Sequence, residues 1–228
     1  MKYRDYLQKL IYGVIDPVID LMIRIGVTPN GVTAAGFVGN LVAVGLFIEA
    51  ARLPFDEQFA SIGWGGAIIL LAGLFDMMDG RLARRAGLLS VFGALWDSTL
   101  DRYSELVTLF GICLVFLKCG DEFFPMAVVS FLALVGSVMV SYVRARAEGL
   151  GIECKVGLMQ RPERVVVTAV GAIITGLTAN VGWLAGAMII IAVLANITAF
   201  MRIVHCYKEV RGNREEGAIG VRSDGGER

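Results

Sequence analysis

Six stretches of mostly apolar residues divide this chain, at 31–50, 63–80, 91–117, 123–147, 161–180 and 183–204. A helix needs about 20 such residues to cross a bilayer. In lipid the backbone must satisfy its own hydrogen bonds, which leaves helices or a closed barrel. Strand-like alternation is scarce, so the pattern predicts an all-α membrane protein with six transmembrane helices.

Composition agrees. Hydrophobic residues make up 56% and charged residues 18%, with mean hydropathy +0.68. A soluble domain carries about 45–50% apolar and about 25% charged residues. Disordered, collagenous and disulfide-scaffold classes are excluded. The 21 basic and 21 acidic residues cancel, which speaks against a nucleic-acid partner. Their placement is uneven, however. Threading six spans puts 19 basic residues on one side and only Arg52 and Lys118 on the other. Basic loops face the cytoplasm, so both termini are expected there.

Before the first span, Leu7, Leu10, Ile11, Val14, Ile15, Val18, Leu21 and Met22 recur at helical spacing, and Asp5, Lys9, Asp16, Asp20 and Arg24 fall mainly elsewhere. This predicts an interfacial amphipathic helix. The chain thus divides into that helix (1–30), a six-helix domain (31–210) and a polar, Gly-rich tail (211–228) expected to be disordered. The N-terminus shows no cleavable signal pattern. Cys113, Cys119, Cys154 and Cys206 lack metal-ligand spacing and read as small hydrophobes, and His205 is the one histidine. Met77, Met78, Met188 and Met201 read as packing residues.

Four aspartates stand where a membrane protein avoids them. Asp76 and Asp79 are three apart, Asp97 and Asp101 four apart, so each pair shares a helix face. Acids at membrane depth are costly and functional. Gly93 lies one turn before Asp97 and permits close approach. Four carboxylates aimed at one place require divalent cations, and an all-oxygen ligand set selects Mg²⁺, Mn²⁺ or Ca²⁺. The loop Gly80–Gly87 adds Arg81, Arg84 and Arg85. Metal plus arginine is what a diphosphate needs. The plainer reading is a set of salt bridges between helices, and an ion-coupled transporter is a distant alternative.

The stretch from Asp76 to Asp101 reads D-x-x-D-G-x-x-A-R, eight residues, then G-x-x-x-D-x-x-x-D. It resembles the signature of the CDP-alcohol phosphotransferases at every fixed position. That resemblance implies a fold of six spanning helices with an N-terminal interfacial helix, and a homodimer. It implies that Asp76, Asp79 and Asp97 ligate two Mg²⁺ or Mn²⁺ ions, and that Asp101 is both ligand and general base. Gly80, Ala83, Arg84, Ser90 and Gly93 are implied to lie along the CDP-lipid. Val27–Thr33 resembles the family's V-T-P-N-x-x-T segment, which places Pro29, Asn30, Gly31, Val32 and Thr33 at the nucleotide. Read from the residues alone, this segment is a helix start with Asn30 as N-cap. For the dimer, Gly182 and Gly186 form a G-x-x-x-G pattern that permits close helix approach.

Two further segments bear on the acceptor. Residues 142–151 (YVRARAEGLG) and 157–164 (GLMQRPER) contribute Arg144, Arg146, Arg161 and Arg164. Such a basic group suits a phosphorylated acceptor, although the positive-inside rule and a helix start with Pro162 also place arginines here. These segments resemble those of prokaryotic phosphatidylinositol-phosphate synthases and archaeal archaetidylinositol-phosphate synthases. The implied reaction joins CDP-diacylglycerol to myo-inositol phosphate at the cytoplasmic face of a prokaryotic membrane and releases CMP. Glycerol 3-phosphate and serine are the competing acceptors.

Overall fold

A computed structural model describes the backbone of residues 3–223 and side chains across residues 15–211. Seven α-helices follow one another: α1 (Tyr3–Arg24), α2 (Pro29–Ala50), α3 (Gln58–Arg85), α4 (Val91–Lys118), α5 (Phe124–Glu148), α6 (Arg161–Thr178) and α7 (Gly182–Ser223). A 3-10 turn, Asp121–Phe123, precedes α5. No strand occurs among the described residues. The side chains of Lys2, Arg4, Asp5, Leu7, Lys9, Leu10, Ile11 and Val14, and the tail from Gly212, lie outside the described side chains.

Helices α2 to α7 close a ring. α2 packs on α3, α3 on α6, α6 on α7, α7 on α5, α5 on α4, and α4 returns to α2. Phe47, Ile62, Ile112, Phe116, Leu184 and Met188 fill its core. Leu71, Phe110, Phe131, Ile190 and Phe200 stay exposed. Outward apolar side chains on helices of this length are what a lipid environment requires. The protein is a multi-pass membrane protein. By length and composition α2, α3, α7 and the Asp121–Glu148 segment can each cross a bilayer. α4 and α6 fall short because charge interrupts them. α4 carries Asp97, Asp101, Arg102 and Glu105, and α6 begins with Arg161, Glu163 and Arg164.

Small residues set a close contact between α3 and α6. A Cβ at Gly66 on α3 would stand 2.7 Å from the Ala169 carbonyl oxygen and 2.8 Å from Ala172 Cβ on α6. This bare face lets α6 come against α3, which brings its first turn towards Asp76.

α1 packs on α3 outside the ring. Ile15 and Ile19 join Val32, Met78 and Leu82 in a second, smaller core. On its flank Asp16 accepts from Arg81 at 2.5 and 2.7 Å, and Asp20 accepts from Arg85 at 3.0 Å. The Arg81 hydrogen bond holds the Asp16 carboxyl below the usual carboxylate range.

The start of α2 differs from expectation. The N-cap is Thr28, not Asn30, and its hydroxyl accepts from Gly31 N at 3.2 Å. Pro29 explains the shift: it lacks an N–H and its fixed φ suits the first helical position. Asn30 is thereby released from capping.

Two outcomes follow. Gly66→Ala is expected to lower stability by about 1–3 kcal/mol through overpacking, beyond any helix-propensity gain. Thermal unfolding in detergent reads this. The Asp16 contribution should be complete above the ordinary carboxylate value of 3.8 and lost as pH falls through the lowered folded value. Hydrogen exchange in 15–24 should rise selectively in that acid window, and Asp16→Asn should abolish the pH dependence.

Candidate active site

Three carboxylates meet at one end of the ring. Asp76 comes from α3, Asp97 and Asp101 from α4, and one oxygen of each lies within 4.8 Å of the others. The turn between the helices makes this possible. Gly87, at φ +68°, reverses the chain after α3, a conformation that glycine adopts without strain. Ser90 then caps α4 by accepting from Gly93 N at 2.9 Å. The four-residue spacing stacks Asp97 and Asp101 on one face.

Arg161, at the start of α6, reaches into this group. Its Nη1 donates to Asp76 Oδ2 at 2.8 Å, and its Nη2 forms an ion pair with Asp101 Oδ1 at 2.6 Å. Arg102 Nη2 is 3.8 Å from Asp101 Oδ2. Asp97 Oδ1 is buried without a hydrogen-bond partner. An unpartnered buried carboxylate oxygen carries a large desolvation cost. A hard divalent cation removes that cost, and oxygen donors alone are the set it takes. The residues fit such an ion.

Asp79, expected as a fourth ligand, stands apart from the triplet. It is 5% exposed, and Thr33 Oγ1 donates to its Oδ2 at 2.6 Å. This bond ties the start of α2 to the aspartate helix. Nearby, a Cβ at Gly93 would meet Ser90 Oγ at 2.9 Å and Asn30 Oδ1 at 3.3 Å. The Pro29–Thr33 segment, Gly80, Arg84, Ser90 and Gly93 therefore stand around the aspartates' outer side. Arg84 is exposed, with its guanidinium against the Gly80 backbone. Val32 and Ala83 are buried, and Val32 packs in the smaller core. Packing accounts for Val32 without a nucleotide contact.

The four acceptor arginines separate. Only Arg161 touches the aspartates. Arg164 is 2% exposed and turned to Glu105, donating from Nε and Nη2 at 2.6 and 3.0 Å. Its Nη1 donates to the Met159 carbonyl at 3.3 Å. Three of its five N–H donors are engaged there, which gives Arg164 a structural pairing with Glu105. Arg144 pairs with Glu148 one turn along α5, and Arg146 is exposed. Glu105 went unremarked in the sequence. Its signal was there: Asp97, Asp101 and Glu105 recur every four residues on one face of α4.

A cavity of about 210 Å³ opens from Asp76, Asp101 and Arg161 into the ring, between α2, α3, α4 and α6. Its walls are mainly apolar, with Thr33, Asn40, Ser104 and Thr168 among them.

A family model described as CDP-alcohol phosphatidyltransferase matches residues 26–204, which contain every residue of this site. The chain belongs to that family. The archaetidylinositol phosphate synthase of Methanothermobacter thermautotrophicus is 32% identical over 86% of this chain and 90% of its own. The phosphatidylinositol phosphate synthase of Mycobacteroides abscessus is 33% identical over 82% of this chain and 81% of its own. Among solved structures, the Mycobacterium tuberculosis phosphatidylinositol phosphate synthase with manganese and citrate superposes with TM-score 0.74 at 28% identity, covering 85% of this chain and 88% of that one. The same protein with CDP-DAG bound gives TM-score 0.73 at 28% identity, covering 85% and 94%. A CDP-alcohol phosphatidyltransferase is a metal-dependent transferase, and the carboxylate triplet here is a cluster suited to a metal.

The triplet yields a direct check. Asp97→Asn should weaken Mn²⁺ binding at least about 10-fold, read by electron paramagnetic resonance of added Mn²⁺, while the folded fraction is retained.

Proposed function

We propose that this CDP-alcohol phosphatidyltransferase joins the phosphatidyl group of CDP-diacylglycerol to myo-inositol phosphate, giving phosphatidylinositol phosphate and CMP. One observation carries the choice of a phosphorylated acceptor, and the synthase relatives support inositol phosphate among such alcohols. Arg161, from the GLMQRPER segment, contacts Asp76 and Asp101 together. A phosphate held by that guanidinium would sit beside the group that must take the acceptor's proton. Serine has no phosphate for Arg161 to hold.

Asp101 acts as the base in this reading, and its place beside Arg161 supports it. Asp101 takes the proton of the attacking hydroxyl. That oxygen forms a bond to the β-phosphorus of the CDP-lipid. The bond from the β-phosphorus to the bridging oxygen breaks, and its electron pair leaves with CMP. Arg84 faces the negative charge on the diphosphate. Asp76, Asp97 and Asp101, with Asp79 beside them, would hold two Mg²⁺ or Mn²⁺ ions, which would supply the positive charge that a diphosphate requires.

In the membrane, α2 to α7 form six spans, with the aspartates and both termini at the cytoplasmic face. The 19-to-2 distribution of basic residues supports this orientation. α1 lies in the interface. Ile15 and Ile19 face the protein, and Val18, Leu21 and Ile25 are exposed on the same helix and its exit, as a lipid-facing stripe should be. The protein assembles as a homodimer, for which the open space at Gly186 on α7 leaves room. Chemical cross-linking in the native membrane tests the dimer.

Purified protein with CDP-diacylglycerol and each alcohol tests the acceptor by CMP release. Turnover with inositol phosphate and none with serine is expected. Turnover with glycerol 3-phosphate alone would overturn the choice. A chelator should abolish turnover, and Asp101→Asn should reduce it by about 10³-fold or more. Arg161→Gln should raise the acceptor KM more than the CDP-lipid KM.

A further inference from the structure

We propose that Glu105 is a positioning residue for the acceptor side of the site. Through Arg164 it fixes the first turn of α6 and so holds Arg161 over Asp76 and Asp101. The proposal rests on the reading of Arg161 as the acceptor-phosphate ligand.

The first turn of α6 has no side-chain cap to orient it. Gln160, its N-cap, makes no side-chain capping bond, and Pro162 sits in the opening turn. Such a turn leaves N–H groups without helical partners. Arg164 supplies the missing anchor. Its guanidinium forms a two-pronged pair with Glu105, whose side chain is 9% exposed. A bidentate pair sets direction as well as distance. The third contact, Arg164 to the Met159 carbonyl, ties in the loop before α6. That loop is itself held, because Leu158 N and Met159 N both donate to Thr198 Oγ1 on α7 at 3.2 Å. Arg164 therefore links α4, the loop and α6 at one point.

Arg161 lies three residues earlier, on the same face of α6. Asp101 lies one turn before Glu105 on α4. The two ion pairs thus run in parallel between the same helices, one buried and one at the site. A fixed Glu105–Arg164 pair leaves Arg161 a single place to reach. Glu105 is not itself an additional metal ligand. Both of its oxygens are taken by Arg164, and it stands outside the carboxylate triplet.

The test uses two variants of the full chain. Glu105→Asp keeps the charge and draws the pair back by one methylene. Glu105→Leu combined with Arg164→Met removes both charges together, so no buried charge is left unpaired. In each folded variant the acceptor KM should rise on the order of 10-fold, with the CDP-lipid KM within about twofold. Mn²⁺ affinity without substrate is the second readout. Arg161 pairs with Asp76 and Asp101, two of the carboxylates a cation would take, so a displaced Arg161 should tighten Mn²⁺ binding several-fold, as Arg161→Gln should. Unchanged Mn²⁺ affinity in both variants would overturn the role of Glu105 whichever alcohol the enzyme uses. Parallel rises in both KM values would overturn it too, because they mark a general loss of structure. If inositol phosphate is not turned over by the unaltered protein, the acceptor reading fails and the Mn²⁺ comparison alone decides on Glu105.

Discussion

Gathering carboxylates at the end of an apolar bundle is costly, and much of the structure answers that cost. Asp76, Asp97 and Asp101 each bring an oxygen within 4.8 Å of the others, where unscreened negative charges repel. Arg161 offsets part of the repulsion by pairing with two of them. The position of Arg161 depends on α6, and α6 depends on the buried Glu105–Arg164 pair. Breaking one side of a buried pair costs about 3–5 kcal/mol, because the other charge is left in a poor solvent. The ring packing serves the same end. The bare face at Gly66 lets α6 approach α3 closely enough for its arginine to arrive.

Much of the fold was legible in the sequence because lipid imposes simple rules. Apolar runs near the spanning length located α2 to α6 within about five residues at each end, and the start of α7, which continues past its apolar run to Ser223. The aspartate spacing was legible for a related reason: acids at membrane depth need a purpose, and three- and four-residue intervals place them on shared faces. Partner choice was not legible. Nothing in the order of residues says that Arg161 turns to the aspartates while Arg164, three positions on, turns to Glu105. The difference arises from which helix stands opposite each side chain, and only the closed ring determines that. The cap at Thr28 was missed for a local reason, since Pro29 moves the helix start back from Asn30.

The nucleotide side shows a similar economy of contacts. Thr33 joins α2 to Asp79, and Gly93 admits Asn30 and Ser90 to one small space. Neither contact is long-range in the folded molecule, yet Thr33 and Asp79 are 46 residues apart in sequence. α1 reinforces this side from without. Its aspartates hold Arg81 and Arg85, which flank the exposed Arg84, so the basic segment is divided between anchoring and an outward-facing charge.

The shortness of α6 has a consequence for the membrane around it. It has 18 residues, about 27 Å of helix. Its opening residues belong to the site, and the apolar remainder, 165–178, extends only about 21 Å. The hydrocarbon layer is about 30 Å thick. In the proposed six-span arrangement the bilayer beside α6 thins, or flanking side chains snorkel, to make up the difference. A lipid carrying a diphosphate then meets the aspartates without lifting its tails out of the bilayer. A water-soluble alcohol has to descend below the level of the surrounding headgroups. The depth of the reaction is thus written in the length of one helix.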